Sequence, residues 1–99
     1  MNTKIYISGK ITGLKRKDYL RRFKKAENKL FKMGYIPINP AKVNNNLPIN
    51  TSYDEYMQMS MCMLSFCDNI YMLKNWETSN GAKIEHEYAL NNNYKIIYE

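Results

Sequence analysis

The chain has 99 residues, of which 44% are hydrophobic, with 9 Tyr, 3 Phe and 1 Trp and a formal net charge of +6. That length makes one domain, residues 1–99, with a thin core, and the apolar content excludes a disordered chain. No apolar run approaches the ~18 residues of a membrane span, and no leader-like apolar core with a small-residue cleavage site follows Met1.

Residues 3–8, Thr-Lys-Ile-Tyr-Ile-Ser, are β-branched and aromatic and predict a strand that ends at Gly9. Gly9 to Gly13 form a loop. From Lys17 to Met33 the apolar residues Tyr19, Leu20, Phe23, Ala26, Leu30 and Phe31 recur at helical steps, and Gly34 supplies the stop. This segment also holds most of the basic residues: Lys15, Arg16, Lys17, Arg21, Arg22, Lys24, Lys25, Lys29 and Lys32. Elsewhere basic and acidic side chains nearly balance. The basic face reads as solvated. A polyanion-binding role is the minority reading, so nucleic acid is not the expected partner.

Tyr35 to Ile38 predicts a second strand, placed at a sheet edge because Pro37 lacks an N–H. Asn39 to Asn50, with two prolines and five asparagines, reads as a long loop of the kind that forms lids. Asp54 to Phe66 predicts a helix with Tyr56, Met59, Met63 and Phe66 facing inward. Cys62 and Cys67 are five apart, a spacing that suits neither a metal nor a redox pair. Both read as buried free thiols, consistent with a cytoplasmic location. A third strand follows over Asn69 to Leu73, a loop over Lys74 to Thr78, a helix over Ser79 to Asn91 and a last strand over Tyr94 to Tyr98.

The order β-α-β-α-β-α-β predicts a small doubly wound parallel sheet, flavodoxin-like or Rossmann-like, of the α/β class. Ligands of such sheets bind beyond the carboxyl ends of the strands. Those ends are Ser8–Gly13, Asn39–Pro40 and Lys74–Gly81, so a site is expected from these three loops. Ser79 is a natural N-cap, and the helix start behind it suits a phosphate. Gly81 leaves room for close approach of a ligand. Glu85 shares one helical face with Ala82 and Ala89, the face that should pack on the sheet. A carboxylate there is partly desolvated, which makes it a candidate nucleophile or base. His86, the sole histidine, has no metal-ligand partner nearby and reads as a surface or subunit-contact residue; neither a metal nor a cofactor is expected.

The segment from Trp76 through Ala89 resembles the catalytic segment of the nucleoside 2-deoxyribosyltransferase superfamily, which includes deoxynucleoside-monophosphate N-glycosidases. Ser79, Gly81, Glu85 and Ala89 fit its spacing. Ile5-Tyr6-Ile7-Ser8-Gly9-Lys10-Ile11-Thr12-Gly13 resembles the family's first strand and loop, and Cys67 to Met72 the strand before the catalytic loop. Closer still are short uncharacterised domains grouped with these enzymes, which share the Tyr-Ile-Ser-Gly start, the Asn39-Pro40 pair and the Trp76-Glu77 stretch. The resemblance implies a Glu85 nucleophile that attacks the anomeric carbon, oriented by Tyr6. It implies a 5′-phosphate site built from Ser79, Asn80 and Gly81 with Ser8, Gly9 and Lys10. Serine rather than aspartate at position 79 favours a nucleotide over a nucleoside.

One departure stands out. Where the enzymes carry the aspartate expected to protonate the leaving base, this chain has Ser60. Asp54 and Glu55, about one and a half turns away, are the candidate stand-ins, and Asn39 and Trp76 are further candidates near the site. The implied function is cleavage or transfer of the N-glycosidic bond of a (deoxy)nucleoside 5′-monophosphate. The alternative is a nucleotide-binding sensor or sequestering domain without turnover. A homo-oligomer is expected, with Ala41–Tyr53 and the second predicted helix as its contact.

Overall fold

The computed structural model describes residues 3–99; Met1 and Asn2, on which part of the leader reading rests, lie outside them. Four strands, β1 (Lys4–Ser8), β2 (Ile36–Ile38), β3 (Asn69–Met72) and β4 (Lys95–Tyr98), form one sheet in the order β2-β1-β3-β4. All three pairings are parallel. Four helices connect them: α1 (Arg16–Lys32), α2 (Pro40–Asn44), α3 (Tyr53–Ser65) and α4 (Asn80–Asn91). None is long and apolar enough to cross a membrane among the described residues.

Side-chain alternation along the strands divides the core in two. Ile5, Ile7, Tyr71 and Leu73 meet Phe23, Ala26 and Leu30 of α1 and Ala41 of α2 on one face. Tyr6, Ile70 and Met72 meet Met63 and Leu64 of α3 and Ala82 and Ala89 of α4 on the other. The α/β sheet is therefore doubly wound, as the alternation of elements predicts. The chain leaves β1 toward β2 on one side and returns to β3 on the other, so the crevice between the ends of β1 and β3 is the topological switch point.

Pro37 lies on an edge strand as expected, and Gly34, at φ +93°, ends α1. Several local expectations need correction. The Asn39–Asn50 stretch is not all loop: Pro40 at the first helical position and Asn39 as N-cap, accepting from Lys42 N–H at 3.1 Å, nucleate α2. The Lys74–Thr78 loop contains a 3-10 turn over Trp76–Thr78. Phe31 is 71% exposed because its neighbour Leu30 takes the inward position on α1. On α3 the buried face is Ser60, Met63 and Leu64, while Met59 and Phe66 point outward. That helix is rotated relative to its apolar stripe because Ser60 finds polar partners inside. Cys62 is exposed and only Cys67 is buried; burial and the neighbouring Asp68 push the Cys67 thiol up to about 11, which leaves it unreactive at neutral pH.

Candidate functional site

Glu85 lies on the sheet-facing side of α4 with Ala82 and Ala89. The two alanines let the helix approach β1 and β3 closely, which carries the carboxylate to the end of β1 and leaves it only 5% exposed. Both of its oxygens are held. Tyr6 Oη donates to Oε2 at 2.7 Å, and Ser8 Oγ donates to Oε1 at 2.7 Å. Tyr6 and Ser8 are two apart on one strand, so their side chains emerge on the same face. Short O–H···O bonds of this length suit an ionised acceptor. Burial nevertheless dominates and pushes the Glu85 carboxyl up to about 7, against the two hydrogen bonds that lower it. The Tyr6 phenol is raised well above its ordinary value, by burial first and by the adjacent Glu85 second. At neutral pH it stays protonated, as a donor fixing the carboxylate.

The carboxylate faces a cavity of about 670 Å³. A volume of this order accommodates a small-molecule ligand. Its floor is Tyr6, Glu85 and Ala82. One wall comes from the loop after β1 (Gly9, Lys10, Ile11, Thr12) with Arg16 and Tyr19 of α1; another from Tyr53, Tyr56, Met57 and Ser60 of α3; a third from Thr78 to Gly81. Asn44, Asn45, Leu47 and Ile49 close it from α2 and the segment after it.

Ser79 caps α4, accepting from Ala82 N–H at 3.1 Å, and its own hydroxyl proton remains available. The N–H groups of Asn80 and Gly81 belong to the first turn, where no intrahelical acceptor exists. A Cβ on Gly81 would stand 3.1 Å from Met57 Sδ and 3.4 Å from Tyr53 Oη, so the glycine keeps α3 and α4 close at the cavity edge. The α1 end opposes this one. Lys15 is the N-cap without a capping side chain, and Arg16 and Lys17 follow. Cations at a helix N-terminus are disfavoured by its dipole. Two helix N-termini and two cations, Lys10 and Arg16, thus converge on a cavity whose one carboxylate, among the described residues, is Glu85.

The remaining predicted residues sort unevenly. Lys10 lines the cavity, and its backbone N–H donates to Asn75 Oδ1 at 3.2 Å, fastening the β1 loop to the loop after β3. Gly9 also lines it, but its lack of a side chain serves packing: a Cβ there would meet Leu73 Cδ1 at 2.5 Å. Ser8, expected in the phosphate site, binds Glu85 instead because it is buried beside the carboxylate. Asn39 is the α2 cap and also donates to Glu27 at 3.1 Å; it does not line the cavity. Asp54 is exposed on the first turn of α3 and does not line the cavity either. Trp76 lies apart, stacked on His86 with centroids 4.2 Å from each other, while His86 Nε2 and Tyr98 Oη are 2.8 Å apart.

Ser60 does reach the site. It is buried, accepts from Asn44 Nδ2 at 3.1 Å, and its hydroxyl acts on the Tyr6 oxygen to favour ionisation. Among the described residues no donor reaches the buried Asn44 Oδ1. Sequence reasoning missed Asn44 and Arg16. The first is one of many asparagines in a stretch read as loop, and the second is one cation in a run of nine.

The fold resembles that of 2-deoxyribosyltransferase from the psychrotolerant bacterium Bacillus psychrosaccharolyticus, with a TM-score of 0.73 and 15% identity over 96% of this chain and 70% of that one. No curated protein matches the chain. Residues 3–98 match the model of the family described as domain of unknown function DUF4406, and the chain belongs to that family.

Proposed function

We propose that the cavity binds a nucleoside 5′-monophosphate and that Glu85 cleaves or transfers its N-glycosidic bond as a nucleophile. The observation that carries the reading is the carboxylate itself. It is buried at a strand end, held at both oxygens by Tyr6 and Ser8, and turned to a cavity of nucleotide size. Among the described residues no cation forms an ion pair with Glu85; such an unpaired buried carboxylate costs stability, and such groups concentrate where chemistry requires them. The likeness in fold to a 2-deoxyribosyltransferase supports the same reading. Ser79, the first-turn N–H groups of α4, Lys10 and Arg16 form the matching phosphate end.

Incubation with a panel of deoxy- and ribonucleoside monophosphates, followed by chromatography for free base, tests the proposal. Glu85→Gln is expected to lower base release by at least ~1,000-fold while thermal-shift binding of the same nucleotides persists. Absence of base release by the wild-type protein at high concentration rejects catalysis. A second reading, a sensor or sequestering domain without turnover, is favoured by Ser60, which cannot serve as an acid of suitable pKa. It predicts nucleotide binding with no product from either protein. We further propose a cytoplasmic homo-oligomer using the Ala41–Tyr53 stretch and α3, where Met59 and Phe66 are exposed. A monomer by light scattering at micromolar concentration removes the oligomer.

A further inference from the structure

Among the described residues the cavity holds one carboxyl, and it is already assigned. Among the described lining residues, Glu85 is the sole carboxyl, and no imidazole or thiol joins it. The nearest alternatives are engaged elsewhere: Glu55 accepts from the Ser52 N–H in the capping box of α3, and His86 meets Tyr98 outside the cavity. Beside Tyr6, the Ser60–Asn44 pair is neutral. An ordinary purine or pyrimidine leaves its sugar as an anion unless a proton reaches it, and a positioned general acid contributes ~10²–10⁴-fold to such a step. Tyr6 is committed to Glu85, and the other titratable groups lining the cavity are phenols and the Lys10 and Arg16 cations, ordinarily far weaker acids than a carboxylic acid. Among the described residues of one chain, the site therefore has a nucleophile and no second carboxylic acid to protonate the base.

A base that already carries a full positive charge removes the need for one. We propose that the substrate class of this site is a nucleoside 5′-monophosphate whose base is a cationic, quaternised heteroaromatic ring, of the pyridinium or N-alkylpurinium type. The inference rests on the nucleophilic reading of Glu85 above. A Glu85 oxygen forms a bond to C1′ as the C1′–N bond breaks. The bonding pair passes to the ring nitrogen, neutralises the ring, and the base departs as a neutral molecule. Water then adds to C1′, the C1′–O bond to Glu85 breaks to restore the carboxylate, and the proton from water passes to solvent. Each turnover converts one cationic nucleotide and one water into free base, pentose 5-phosphate and one proton.

The walls suit such a ring. Tyr19, Tyr53 and Tyr56 line the cavity, and aromatic side chains attract a cation. Glu85 supplies the countercharge. Lys10 and Arg16 belong to the phosphate end.

The test compares 7-methylguanosine 5′-monophosphate with guanosine 5′-monophosphate, and adds nicotinamide mononucleotide, on the wild-type protein, Glu85→Gln and Ser60→Asp. Free base is read by chromatography and proton yield by a pH indicator. The expected result is release from both cationic nucleotides at least ~100-fold faster than from guanosine 5′-monophosphate. It includes one proton per nicotinamide released and loss of release in Glu85→Gln. Ser60→Asp is expected to raise the ratio of release from the neutral nucleotide to release from the cationic ones at least ~10-fold. Equal Glu85-dependent release from neutral and cationic nucleotides overturns the inference and leaves the glycosidase reading standing. No release from any of them, with binding intact, overturns both. Should Ser60→Asp fail to fold by its melting curve, the wild-type comparison and its proton yield decide alone.

Discussion

Glu85 is held in a compromise between burial and hydrogen bonding, and the compromise has a measurable sign. In the unfolded chain its carboxyl titrates near the ordinary 4.5, and in the folded protein near 7. Between those values the folded state keeps a proton that the unfolded state has lost, so this group makes stability fall as pH rises from about 4.5 to about 7. Above that range the loss is complete. Glu85→Gln removes the titration, so chemical denaturation at pH 8 should find the variant more stable by up to about 3 kcal/mol. At pH 4 the difference should vanish. Under the proposed function activity should run the other way, rising with pH through about 7 as Glu85 ionises. Tyr6→Phe removes one of two donors; kcat is expected to drop ~10- to 100-fold and the activity profile to move to higher pH, read from kcat/KM against pH. Glu85 is legible from its helical spacing with Ala82 and Ala89, Ser79 as a natural N-cap, and Tyr6 only through the resemblance of the first strand, not from spacing. Ser8 was named for the wrong partner although its position two residues after Tyr6 already aims it at the same carboxylate. No sequence pattern announces the Asn44–Ser60 contact, because it joins a short helix to a distant one.

At the scale of elements, periodicity located the strands and long helices, and capping chemistry explains their ends. Ser79 was legible as the α4 cap, and Gly34 as the α1 stop. The start of α3 uses a capping box: Ser52 Oγ accepts from Glu55 N–H at 3.1 Å and Glu55 Oε1 from Ser52 N–H at 2.8 Å. Ser52→Ala should cost about 1 kcal/mol by thermal or chemical denaturation. It should also fray the turn bearing Tyr53 and Tyr56, so KM for a nucleotide rises while kcat is little changed. The inward face of α3 was misread because hydrophobicity favours Met59 and Phe66, whereas the core places Ser60 and Leu64 inside. A buried hydroxyl is tolerated there only because Asn44 and Tyr6 meet it. Gly9 matters to the join between β1 and its loop. Gly9→Ala should destabilise the protein by ~1–3 kcal/mol, since Leu73 Cβ, 2.9 Å from the added methyl, cannot swing away. An unchanged melting temperature would mean that the strand end shifts freely.

The whole molecule sets a sheet crevice between two helix N-termini, one capped by serine and the other crowded with cations. Its charge is uneven: Arg16 enters the cavity while the rest of the basic run lies along exposed turns of α1. An anion in the crevice relieves the unfavourable cations at the α1 start, so a nucleoside monophosphate should raise the melting temperature more than the free nucleoside does. At 100 times its Kd a ligand adds about 2.7 kcal/mol of stability. Arg16→Ala should erase most of the difference between the two ligands, and a shift unaffected by this change would locate the phosphate elsewhere. The parallel order of the elements was readable from alternation alone, but the convergence of the α1 and α4 starts was not. It depends on which face each crossover takes. The Trp76–His86 stack carries one more consequence. The protein has a single tryptophan, three residues ahead of Ser79, and its ring rests on the neighbour of Glu85. Intrinsic emission therefore reports on the crevice from outside it: an optical channel, free of added dye, through which ligand arrival can be followed in the native chain.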